Sequence, residues 1–92
     1  MTGDNGVLSS GGTGTIALGV TKDDYDAFFA AMRAKDQYGA KELLISGKVF
    51  TVQDGTACLV IESSYLMSKV RIQSGEHNNR AGWTAFEMVK DR

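Results

Sequence analysis

Proline is absent from this chain, so its turns fall to eleven glycines and to Asn and Asp, through their access to positive φ. A single cysteine, Cys58, excludes an internal disulfide and with it the stapled secreted miniprotein. The one histidine, His77, stands in a hydrophilic run beside Glu76. Two adjacent donors are too few for a zinc site, which takes three or four ligands, so a solvated turn histidine is the simpler reading. No stretch approaches the roughly 18 to 20 apolar residues of a membrane span. The N-terminus lacks the charged-then-apolar pattern of an export signal. Ten basic and eleven acidic residues leave a net charge of −1, without the basic excess of a dedicated nucleic-acid binder. Gly-rich phosphate loops, nucleophile elbows and metal-ligand clusters are missing too, so the sequence implies no cofactor, no metal and no enzyme chemistry.

What remains is a 92-residue chain with 42% apolar and 23% charged residues, the composition of one ordinary globular domain. A domain of this size buries only roughly 60–65% of its unfolded surface, so its core must be compact. Residues 1–14 (MTGDNGVLSSGGTG) are polar and rich in Gly, Ser and Thr, with Val7 and Leu8 as the apolar exceptions. They read as a flexible tail, and residues 15–92 as the domain. Thr15 to Val20 is short and apolar and suits a sheet edge. Thr21 is an N-cap candidate, with Asp24 completing a T-x-x-D capping box. Tyr25, Phe28, Phe29 and Met32 follow at i, i+3, i+4 and i+7, which predicts a helix over about 22–35 packed by that stripe. Asp23, Asp24 and Asp26 crowd its start, where a solvated cap explains them as well as ion binding would. Leu43, Leu44 and Ile45 suit a helical turn or the start of a strand. Gly47 at a C′ position favours a second helix over Ala40–Ser46.

From Lys48 the period changes to that of strands. Lys48–Val52 is β-branched and aromatic, and Asp54-Gly55 after it predicts a hairpin. Thr56–Glu62 is apolar on both faces, as in a central strand covered by helices on one side. Ser63–Met67 reads as a loop or bend. Lys69–Gln73 alternates, with Val70 and Ile72 inward and Lys69, Arg71 and Gln73 outward. Ser74–Arg80 is a polar turn, Ala81–Ala85 the last strand, and Phe86–Val89 a closing helical turn. The expected fold is mainly β (α+β), a barrel of about five antiparallel strands with one or two N-terminal helices packed on it.

The run from Gly47 to Val89 resembles a bacterial SH3-like domain. The features that carry the likeness are GKVFTVQDGTACLVIE, KVRIQSGE and RAGWTAFEMV. The resemblance implies a small twisted barrel closed near Gly82-Trp83, in which a hairpin around Asp54-Gly55 leads to a long central strand. A V-R-I strand (Val70, Arg71, Ile72), a polar turn, a Gly-Trp strand and a terminal turn follow. It does not extend to proline-rich peptide recognition, because the aromatic first loop and the paired tryptophans of those readers are lacking.

Within that frame the candidate ligand-binding residues are Trp83, Tyr65, Lys69, Arg71 and Arg80. Trp83 is either a packing residue or, with Tyr65 nearby, an aromatic platform, and packing is the plainer reading. Lys69, Arg71 and Arg80 are expected to line one outward face. That face is open to an anionic partner such as a phosphate backbone or acidic peptide, or is simply solvated so as to discourage edge pairing. Cys58, inside an apolar run, reads as an inert buried thiol. The expected function is a non-enzymatic protein- or peptide-binding module, whose open edge would accept a strand or a second copy in a homodimer. Anion or nucleic-acid binding through the basic face is one alternative; a small enzyme or enzyme subunit, which would need a pocket joining His77 or Cys58 to a carboxylate, is the less favoured other. With Met1 as the native start the default compartment is the cytoplasm; with a leader removed, the Gly/Ser-rich tail suits a tethered envelope domain.

Overall fold

Thr21 opens the first helix as its side chain predicts. Its hydroxyl accepts from the Asp24 backbone N–H at 3.0 Å, and α1 runs Lys22–Arg33. The computed structural model describes residues 3–9 and 14–91. Phe28 is buried, with Tyr25 and Phe29 half-buried beside it, and the Tyr25 and Phe28 rings lie 4.7 and 5.6 Å from the Phe29 ring. Met32, the last of the stripe, faces solvent. The helix ends in a Schellman motif on Lys35, at φ 57°, with the Asp36 N–H donating to the Ala31 carbonyl at 2.8 Å. Asp36 then caps α2 (Gln37–Ile45) by accepting from the Gly39 N–H at 2.9 Å, which starts that helix at Gln37 rather than Ala40. Gly47, at φ 80°, closes α2 in a second Schellman motif, with the Lys48 N–H on the Leu43 carbonyl at 3.1 Å.

Seven strands form one antiparallel sheet: β1 (Asn5–Leu8), β2 (Thr15–Gly19), β3 (Val49–Gln53), β4 (Ala57–Ser64), β5 (Met67–Ile72), β6 (Ala81–Ala85) and β7 (Val89–Asp91). Their order is β3-β2-β6-β5-β4-β1-β7, so the fold is mainly β in the α+β class. The last strand of the sequence reading, β6, falls where expected, and the helical turn after it is a single 3₁₀ turn over Phe86–Met88. No helix among the described residues is long and apolar enough to cross a membrane.

Four expectations about the strands and their connections are corrected. The first is the tail: within residues 1–14, Asn5–Leu8 is a strand paired on both sides, with β4 and β7, and Leu8 is fully buried. Two adjacent apolar residues, Val7 and Leu8, suffice here because strands from distant sequence pair with β1 on both sides. Residues 1, 2 and 10–13 of the expected tail lie outside the described residues. The second is the edge: β2 is an interior strand between β3 and β6, and the sheet ends on β3 and β7, which also raises the strand count from about five to seven. The third is the Asp54-Gly55 hairpin. Gly55 has φ 91°, but Asp54 does not share the positive φ that a type I′ turn requires of both central residues. The turn is a corner instead: β3 pairs with β2, and β4 pairs with β5 and β1. The corner is fastened to other strands, the Gly55 N–H donating to the Leu8 carbonyl at 2.7 Å and the Leu8 N–H to the Thr56 carbonyl at 2.9 Å. The fourth is the supposed loop Ser63–Met67, which holds the true hairpin. Ser64 pairs with Met67 around Tyr65-Leu66, and Leu66 takes the positive φ of 61°.

The sheet curls so that strands from both halves of its order share one core. Leu8, Leu18, Phe50, Cys58, Val70 and Ile72 all belong to it. Gly82 marks a close approach within it: a Cβ there would lie 2.9 Å from both Leu18 Cβ and Phe50 Cε1. On the outer face, α1 packs mainly on β2, β3 and β6 and α2 on β3, burying Phe28, Ala40 and Val49. The helices thus cover one half of the sheet and not β4, the strand expected to lie beneath them.

Candidate functional site

Strand alternation sorts the candidate residues by face. Val70 and Ile72 point into the core, so Lys69 and Arg71 point outward. Trp83 pairs with Lys69 on one side and with Gly19 on the other, which places it on the outer face too, at the margin of α1. It is only 6% exposed, with the Lys22 ammonium 5.1 Å from its ring centroid. A shallow depression beside it is lined by Val20, Lys22, Glu62 and Lys69 among others. Trp83 is therefore a packing residue beneath the helix start, and its ring face is not offered as a platform.

The remaining candidates separate. Arg71 is exposed and lies in register between Leu59 of β4 and Ala81 of β6. Arg80 does not join it. Its guanidinium lies 4.1 Å from the Phe50 ring centroid, and Nη2 donates to the Gly47 carbonyl at 2.8 Å. That contact ties the end of the β5–β6 connection to the α2–β3 junction, so Arg80 serves the fold. His77 is drawn in with it, its ring 5.0 Å from Phe50, half-buried rather than free in solvent. Tyr65 stands at the tip of the β4–β5 hairpin, 88% exposed, and is not among the residues lining the Trp83 depression. Cys58 is buried in the core, and His77 lines a different, polar cleft with Thr51 and Glu76. Among the described residues no group of three or more His, Cys, Asp or Glu is placed to hold a metal ion.

One opening was not anticipated from sequence. A cleft of about 440 Å³ lies at the mouth of the curled sheet, between the β4–β5 hairpin and the edge strand β7. Val60 and Val89 line it, Ser63 and Ser68 add hydroxyls, and Leu66 and Phe86 stand at it 56% and 53% exposed. The Phe86 N–H donates to the Leu66 carbonyl at 3.1 Å, fixing the two apolar groups relative to each other. The available signal was an apolar Tyr-Leu-Met run inside what reads as a loop, since such residues are rarely placed at a turn without a surface to serve.

Comparison with protein-family models, curated proteins and solved structures returns no match.

Proposed function

We propose that the chain is a non-enzymatic protein- or peptide-binding module built on an SH3-like barrel. The barrel in this reading is the five-strand unit β1, β4, β5, β6 and β7. Three consecutive strands meander from β4 to β6, a 3₁₀ turn follows, and β7 returns to pair with β1. The segment β2-α1-α2-β3 is then an insertion between the first and second strands of that unit. The V-R-I strand, polar turn, Gly-Trp strand and terminal helical turn of the resemblance occur in that order within it, whereas the Asp54-Gly55 hairpin on which the resemblance also rests is a corner between β3 and β4.

The observation that carries the binding role is the mouth cleft beside β7. It combines an edge strand, a mixed lining that includes Val60, Met67 and Val89 beside serine hydroxyls, and two exposed apolar side chains (Leu66 and Phe86) on its rim. An extended peptide set there has apolar contacts for its side chains and a strand edge for its backbone. Panning a random displayed-peptide library on the native protein tests this. Enriched peptides are expected to lose at least tenfold in affinity for a Leu66→Ser/Phe86→Ser variant whose melting temperature is unchanged. Peptides that bind both proteins equally, or a library that yields none, would refute the role of the cleft.

A further inference from the structure

The half of the outer sheet face that the helices leave bare has a definite chemistry. Register places its outward residues in three cross-strand rows. Lys90, Val7 and Ala57 form one, Asn5, Leu59, Arg71 and Ala81 the next, and Glu62, Lys69 and Trp83 the third. Val7, Ala57, Leu59 and Ala81 are half-buried, while Arg71 and Lys90 are exposed. Lys69 and Arg71 stand about 6.6 Å apart along their strand, and Lys90 lies three strands away, about 14 Å. The face therefore carries three cations around an aliphatic floor, with Glu62 as its acid, on a chain whose net charge is −1. No hydrogen bond or ion pair engages the Lys69 or Arg71 side chain among the described residues.

We propose that this face binds an acidic amphipathic segment of a partner protein, its carboxylates meeting Lys69, Arg71 and Lys90 and its aliphatic side chains lying over Leu59 and Val7. Charge complementarity selects an anionic occupant, and the floor selects between the anionic classes. A single-stranded nucleic acid needs an aromatic platform, and Trp83 is buried under Lys22. Arg80, the third cation expected on this face, is spent on Phe50 and the Gly47 carbonyl, which leaves the face short of charge for tracking a phosphate chain. Aliphatic groups at the floor, by contrast, match the apolar side chains of a polypeptide. The face shares only Asn5 and Lys90 with the lining of the mouth cleft, so the two proposals stand or fall separately.

The test is a titration of the isotope-labelled full chain, followed by amide chemical shifts, with three probes of similar length. They are a helical-spaced peptide of glutamate and leucine, an oligoglutamate, and an oligothymidylate. The glutamate–leucine peptide is expected to shift the amides of Val7, Leu59, Arg71 and Lys90 and to bind at least tenfold more tightly than the oligoglutamate. A Lys69→Glu/Arg71→Glu variant should lose that binding at least tenfold with an unchanged melting temperature, whereas Lys41→Glu on α2 should keep it. Shifts confined to the mouth cleft, equal binding by the double variant, or no binding at millimolar peptide would overturn the proposal. Tighter binding of oligothymidylate would overturn it in favour of nucleic acid.

Discussion

Thr84→Val should stabilise this protein. Thr84 is fully buried on the inner face of β6, opposite Ser68, and its hydroxyl has no hydrogen-bond partner among the described residues. A buried hydroxyl left unpaired costs roughly 1–3 kcal/mol relative to solvation in the unfolded chain. Valine keeps the β-branched shape and strand preference while replacing that hydroxyl with a methyl group of similar size. The expected gain is about 1 kcal/mol, toward the low end of that range because the added methyl must settle against close neighbours. For a domain of this length it corresponds to a rise in melting temperature of roughly 4–8 °C. Denaturant titration should show a higher midpoint with an unchanged slope, the mark of a stability change without a change in exposed surface. Thr84→Ser supplies the contrast: it retains the hydroxyl, deletes the methyl group, and should lose about 1 kcal/mol. A destabilised Thr84→Val would show that the hydroxyl is satisfied. A coupling energy above about 0.5 kcal/mol in a cycle with Ser68→Ala would name the partner.

Gly82→Ala should cost about 1–3 kcal/mol in the same titration, because the new Cβ meets Leu18 and Phe50 at 2.9 Å and Phe50 is backed by Arg80 and His77. Lys35→Gly should gain roughly 0.5 kcal/mol, since Lys35 holds a left-handed conformation that glycine adopts without strain, offset by the glycine's greater freedom when unfolded. Thr21→Ala removes the acceptor for the Asp24 N–H and should lose about 1 kcal/mol, with Thr21→Ser restoring most of it. The Cys58 thiol, fully buried, should react with a water-soluble disulfide reagent only as fast as the protein opens, so its labelling should accelerate in step with each destabilising variant.

Local rules were enough for the elements whose signals are self-contained. The capping box at Thr21, the aromatic stripe of α1, the C′ glycine after α2, the alternation of Val70 and Ile72, and the extent of β6 are each set by contacts within a few residues. Those rules also placed Lys69 and Arg71 on one outward face. Tertiary structure decided which strands meet. Asn5–Leu8 has too little apolar content to hold a strand alone, and it becomes one because β4 and β7 close on both its sides. Asp54-Gly55 turns the chain, yet whether a turn makes a hairpin or a corner depends on which partners the flanking strands already have. Arg80 left the basic face for Phe50, and Trp83 went beneath Lys22, through contacts 30 or more positions away in sequence. The mouth cleft and the bare half-face likewise exist only because the sheet curls and two helices reach across part of it. Periodicity reports a residue's face within its own element, whereas a site is made by faces of different elements, and their meeting is fixed by packing over the whole chain.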